Sequence, residues 1–196
     1  MPATRALVLA AAVICLAAAG WLVLREATDP GLAAHPVPGM GEMNAAELSR
    51  DGYLVIPAML REVYVAFGAT EEAVIHDTLA AVAAGPALET LYLDRAGAMA
   101  GGGLDGADQE IHEMELLDLA SSRDGAMLSV NATWRVLGTV GHAEHMHVRG
   151  NVYSAALTLA PTAAGWRITG FELLDVDRSD AGTMVAAPEP AEATGG

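Results

Sequence analysis

The sequence predicts an α+β fold: an N-terminal transmembrane helix, then about three helices packed on a curved four-stranded antiparallel sheet. Three observations carry this. Nineteen consecutive residues, Ala6 to Leu24, bear no charge. Apolar residues recur at helical spacing between residues 45 and 100, and from residue 109 the period changes to two. At 196 residues the chain suffices for one domain with an anchor and is too short for two full domains.

The first segment, ALVLAAAVICLAAAGWLVL, has about the 20-residue length that a helix needs to cross a hydrocarbon core. Arg5 and the amino terminus precede it, and Arg25, Glu26 and Asp29 follow. The positive-inside rule therefore predicts a single-pass protein of the cytoplasmic membrane, N-terminus inside, with its domain in the periplasm or outside the cell. A cleaved signal peptide competes with this reading, because Ala17, Ala18 and Ala19 offer small residues to a peptidase. Trp21-Leu22-Val23-Leu24 prolongs the apolar run beyond them and favours a retained anchor. A lipoprotein fits less well, since Ile14 is bulky for the place before Cys15. Cys15 is the only cysteine, so the exported part has no internal disulfide and depends on its core.

The formal net charge is -15, nearly all of it beyond the anchor. Such a surface repels phosphate backbones and anionic lipid heads, which disfavours nucleic acid as a partner and leaves a cationic partner or a metal ion. Four regions follow from composition: anchor 1–26, linker 27–44, domain 45–178 and an acidic disordered tail 179–196. The linker carries three prolines and three glycines without apolar periodicity. The tail is small, acidic and proline-bearing.

Within the domain, Pro57 suits the first turn of a helix whose apolar stripe is Leu60, Val63, Tyr64 and Phe67, and Gly68 stops it. Thr70 reads as the cap of a second helix, with Glu71 and Glu72 in its first turn and Val74, Ile75, Leu79 and Val82 as its stripe. Gly85-Pro86 ends that helix, and a third spans 87–99 with Leu88, Leu91, Tyr92 and Met99. AGGGLDGAD, residues 100–108, is a break. Strands are predicted at 109–119, 126–139, 143–160 and 165–176, joined by short turns into a meander whose one face the helices cover.

The chemistry concentrates in HAEHMHVRGNVY, His142 to Tyr153. On a strand, His145, His147, Arg149, Asn151 and Tyr153 form one row with Leu157 and Leu159. Leucines seek the core, so the row predicts a pocket whose polar wall is Arg149, Asn151 and Tyr153, with Trp134 nearby; a bulge at Gly150 would instead turn the polar part to solvent. A buried Arg149 needs a carboxylate, and Glu62, Asp77, Glu113 and Glu115 are the candidates. His145 and His147, two apart, can reach one divalent metal ion, with His142 as a third ligand and Glu144 nearby. Met146 falls on the other face. A catalytic reading would join His112, Glu115 or Asp118 to Tyr153, Arg149 or Trp134, but no triad, phosphate loop or metalloprotease motif supports it. His76 reads as an ordinary helix residue.

Helices followed by a strongly curved antiparallel sheet resemble the nuclear transport factor 2-like superfamily. The resemblance is carried by YVAFGATEEAVIHDTLAAVAAG (64–85), NATWRVLGTVGHAEHMHVRGNVYSAALTLAP (131–161) and GWRITGFELLDVD (165–177), and covers about residues 52–178. Within it, Tyr64, Ala66 and Phe67, with Gly141, His142, His147, Arg149, Asn151 and Tyr153, look like an uncharacterised group of exported bacterial domains. The resemblance implies a cone-shaped domain. It leaves function open, because that fold hosts isomerases, dehydratases, binding modules and scaffolds.

The reading that follows is a membrane-anchored, extracytoplasmic, non-catalytic binding or assembly module of a membrane-associated complex, with a membrane protein as partner and no cofactor. A carrier or sensor for a small ligand or divalent metal is the alternative, and an isomerase- or dehydratase-like enzyme the second. A homodimer through the sheet is a further expectation.

Overall fold

The computed structural model describes residues 14–19, 21, 30–100, 108–142, 145–178 and 181–185. It is an α+β fold in which helices cover one face of an antiparallel sheet. Residues 14–19 are helical, and Ile14 and Leu16 are exposed. Among the described residues no helix is long and apolar enough to cross a membrane; most of the expected span 6–24 lies outside them.

Helix α1 (Ala45–Arg50) begins at a capping box: the Asn44 side chain accepts from the Ala46 and Glu47 amides, and Glu47 accepts from the Asn44 amide at 2.9 Å. Helix α2 (Gly52–Gly68) buries Val55, Ile56, Met59, Leu60, Val63 and Ala66, a spacing that keeps one side on the sheet. It starts five residues before Pro57, so Pro57 is interior rather than in the first turn. Burying Val55 and Ile56 outweighs the amide that Pro57 cannot donate. Helix α3 (Glu72–Ala80) is capped at Glu71, without a side-chain bond, rather than at Thr70. Helix α4 (Pro86–Ala100) closes the layer with Ala87 and Leu91 buried.

The long strands β3 (Asp108–Asp124), β4 (Met127–His142), β5 (His145–Thr162) and β6 (Gly165–Asp177) pair in sequence order, all antiparallel. The helix-facing side of β4 is the buried set Leu128, Val130, Ala132, Trp134 and Val136. Opposite these on β5 lie Leu159, Leu157, Ala155, Tyr153 and Asn151. The β4–β5 register runs without a shift from Leu128–Leu159 to His142–His145, so Gly150 is no bulge. The bulges fall at His112 and Leu117 in β3 and on the β6 side.

Two regions differ from expectation. The segment expected as a linker contains a two-stranded ladder, β1 (His35–Pro36) with β2 (Glu42–Met43), and buries Val37. It is held because the Trp166 indole donates to the Met43 carbonyl at 2.8 Å and meets the His35 ring edge-on. The β5–β6 turn comes so close that a Cβ on Gly165, whose φ is +100°, would lie 2.2 Å from the Pro36 carbonyl oxygen. At the other end, the expected tail includes a further strand, β7 (Ala181–Val185), on the edge of β5 that β6 vacates after Val152. Unpaired strand edges are costly, and Met184-Val185 can sit on one whatever the composition around them.

Candidate functional site

The sheet is longer than its helical cover. On the helix-facing side, burial loosens along β4 from Trp134, 3% exposed, to Val136, 8% exposed, while Ala155 on β5 is 1% exposed. Asn151 and Tyr153 on β5 and Val176 on β6 are half-buried, and Leu173, level with Ala155 on the outermost strand β6, is 47% exposed.

Aromatic contacts organise this region. Tyr153 stacks on Trp134 with centroids 5.7 Å apart and planes 19° from parallel, the offset geometry that aromatic quadrupoles favour. Tyr64, near the end of α2, approaches Tyr153 at 6.4 Å and Phe67 edge-on. The Trp134 indole donates to the Tyr64 hydroxyl at 2.9 Å, and the Asn151 amide donates to the Tyr153 hydroxyl at 3.0 Å. Burial pushes the Tyr64 hydroxyl well above its ordinary value, against the opposing effect of the Trp134 bond; the nearby Tyr153 raises it further. Tyr64 is therefore a neutral phenol at physiological pH. Among the described residues neither tyrosine hydroxyl has an acceptor for its own proton, so both can donate to a bound group.

Other expected residues are not gathered here. Glu115 pairs with Arg135 at 2.8 Å on the opposite face of the sheet, where Glu115 is exposed and Arg135 half-buried. Glu113 and Asp118 share that face by register, and His112 bonds the Thr139 hydroxyl at 3.0 Å. Asp77 is exposed beside His76, and Glu62 is exposed on α2. Of the four carboxylates proposed for Arg149, Glu113 and Glu115 are on the opposite face of the sheet by register, and Glu62 and Asp77 are exposed on helices α2 and α3; His112, Glu115 and Asp118 are separated by the sheet from Trp134 and Tyr153. The side chains of His142, His145, His147 and Arg149 lie outside the described residues, although their backbone pairing is within them. Among the described residues no three of His, Cys, Asp and Glu are grouped as metal ligands.

One buried cation escaped the sequence reading. Arg95 on α4 is 6% exposed and donates from Nη2 to the Ala69 carbonyl at the end of α2, while its Nε and Nη1 have no partner among the described residues. An arginine between Asp94 and Ala96 carries no sequence sign of burial; the bond to the Ala69 carbonyl comes from a residue 26 positions earlier in the chain.

No protein-family model matches the chain, and no curated protein matches it. Among solved structures the chain is similar to the intermembrane space region of the chloroplast protein ARC6, with a TM-score of 0.47 and 19% identity over 64% of this chain and 95% of that one.

Proposed function

We propose that the protein is a non-catalytic binding or assembly module, tethered outside the cytoplasm by residues 6–24, whose contact surface is the uncovered end of the helix-facing sheet. The observation that carries this is Leu173, 47% exposed on the side of the sheet that elsewhere forms the core, beside half-buried Tyr153 and Asn151. Apolar and aromatic groups with two hydroxyls whose protons have no acceptor among the described residues suit an apolar element that also presents carbonyl acceptors, as a segment of a membrane-protein partner does. The described groups around Tyr153 offer donors and a stacking face. The exposed apolar turn at 14–19 supports the tether, and the layer order supports a nuclear transport factor 2-like domain.

A photo-crosslinking residue at Leu173 tests this reading, in the full chain within its own membrane. We expect an adduct with a membrane protein that is strongly reduced by Tyr153→Ala. The same probe at Ser129, on the other face, should give none. Equal labelling from both positions, or from neither, would refute the assignment.

A further inference from the structure

We propose that the open edge of β6, from Gly170 to Asp177, takes an extended, cationic segment of another protein as an additional strand. This rests on the binding-module reading and names the docking mode and the partner's chemistry at that surface.

Among the described strands, β6 is outermost and pairs with β5 alone. The first half of its outer edge is closed from within. The Ile168 amide donates to the Val82 carbonyl and the Ala84 amide to the Ile168 carbonyl, both at 2.9 Å, a single parallel bridge through Ala83. Gly85, at φ +57°, then turns the chain away into α4. Helix α4 packs against β6, yet Leu173 and Leu174 stay 47% and 55% exposed. From Gly170 to Val176 no strand of the described residues lies on this edge, so its outward amides and carbonyls can extend the ladder. The opposite edge, β3, is blunted by two bulges, and α1 and α2 pack against it.

Register sorts the side chains of this edge onto two faces. Glu172, Asp175 and Asp177 stand opposite Ala156, Ser154 and Val152, on the outer face of the sheet. Phe171, Leu173 and Val176 stand opposite Leu157, Ala155 and Tyr153, on the helix-facing side. The bulge at Leu174 keeps both rows in phase: without its extra residue, Asp175 would fall on the apolar side. One open edge thus carries an acidic row and an apolar row. A strand that completes both alternates Lys or Arg with apolar residues. Opposite charges across a strand pair stabilise and like charges destabilise, which disfavours the occupants nearest at hand. A second copy docked antiparallel on this edge would bring acidic row to acidic row. Residues 186–196 of the chain itself carry Glu189 and Glu192, no base, and Pro188 and Pro190, which have no amide to donate. The net charge of -15 draws a cationic segment at longer range as well. In strand addition, main-chain bonds supply affinity and alternate side chains supply specificity.

The test uses the full chain in detergent with a synthetic peptide of alternating Lys and Val, and with its Glu-Val and fully N-methylated Lys-Val counterparts. We expect the Lys-Val peptide to bind and to slow amide exchange within Gly170–Val176, and neither counterpart to do so. Glu172→Lys combined with Asp175→Lys, both at exposed positions, should weaken that binding at least about tenfold with an unchanged melting temperature, because two attractive pairs become repulsive. No binding of the Lys-Val peptide, binding without slowed exchange, or equal binding of either counterpart would each overturn the added strand. Exchange at these amides that slows with protein concentration, in the absence of peptide, would make a second copy the occupant and overturn the cationic partner. Crosslinking from Leu173 in the native membrane separates the two readings: if it persists while the peptide results fail, the contact surface stands and the added strand falls.

Discussion

Trp166 and Tyr153 are aromatic residues on the same face of one sheet, yet they sit in opposite circumstances. Trp166 is 1% exposed, with Leu48, Leu128, Leu159 and Ile168 fully buried in the same core, and its indole is tied to Met43. Tyr153, eight residues along β5 from Pro161, the partner of Trp166, is half-buried near an exposed leucine. The difference is one of cover: α1 and the β1–β2 ladder pack over the first end, while α2 finishes at Gly68 and leaves the second open. One end is built for stability, and the other keeps apolar and polar groups available.

The sharpest way to break this contrast is Trp166→Ala. Removing a large buried aromatic should cost about 3–5 kcal/mol, and the Met43 carbonyl loses its donor as well. Urea unfolding measures it; a loss under about 1 kcal/mol would show that the closed end is not the stable one.

Gly165→Ala attacks the same end through the backbone. A non-glycine residue in so unusual a conformation costs roughly 1–3 kcal/mol, and the new methyl must also displace the Pro36 carbonyl. The ladder at 35–43 should loosen with it, seen as faster amide exchange at Val37, whose amide is bonded to the Gly41 carbonyl.

Tyr64→Phe probes the boundary between the two ends. The buried Trp134 indole then lacks its acceptor, a cost of about 1–3 kcal/mol. The substitution also has a pH signature. Because burial raises Tyr64 in the folded state, the unfolded chain ionises first, near the ordinary value of 10.0, and binds fewer protons than the folded one above it. Stability should therefore be independent of this group below pH 10 and fall as pH rises beyond it, by up to about 1.4 kcal/mol per unit. Tyr64→Phe should remove that part of the fall. Tyr92, raised mainly by its bond to Glu72, keeps a smaller dependence of the same sign in both proteins.

How far the sequence foretold this arrangement differs from part to part. The change from helical to alternating period placed the helices and four strands within a few residues, because burial on one face imposes those periods. Leu157 and Leu159 likewise placed Asn151 and Tyr153 on the helix side, since side-chain phase survives along a strand without a bulge. The linker and tail were misjudged where short pieces dock: composition reports what cannot fold alone, and Val37 and β7 are held by surfaces contributed from elsewhere in the chain. Arg135 took Glu115 on the outer face, a pairing set by strand register and two bulges that no spacing in the sequence reveals. Arg95 was invisible for the same reason.

That residue gives a prediction of opposite sign. A guanidinium buried with two nitrogens that have no partner among the described residues is a desolvated cation, and apolar replacements of buried charges are often neutral or stabilising. Arg95→Met should raise stability by about 1 kcal/mol, on the low side of that range because the Ala69 carbonyl loses its donor. A clear loss would mean that an anion compensates Arg95 in solution.

Asn151→Ala should have the smallest effect on the fold, and its smallness is the point. Asn151 is half-buried, and its one described bond goes to a tyrosine hydroxyl that is itself half-buried. Water can replace that donor, so the change should stay within about 0.5 kcal/mol, the range of ordinary surface positions. What it alters is the Tyr153 hydroxyl: freed of the amide, the phenol can turn away from the direction Asn151 imposes. A partner that accepts from Tyr153 should then bind more weakly, and crosslinking from Leu173 should fall while the melting temperature holds. If stability falls by more than about 1 kcal/mol instead, Asn151 belongs to the closed core and the open end begins further along the strand.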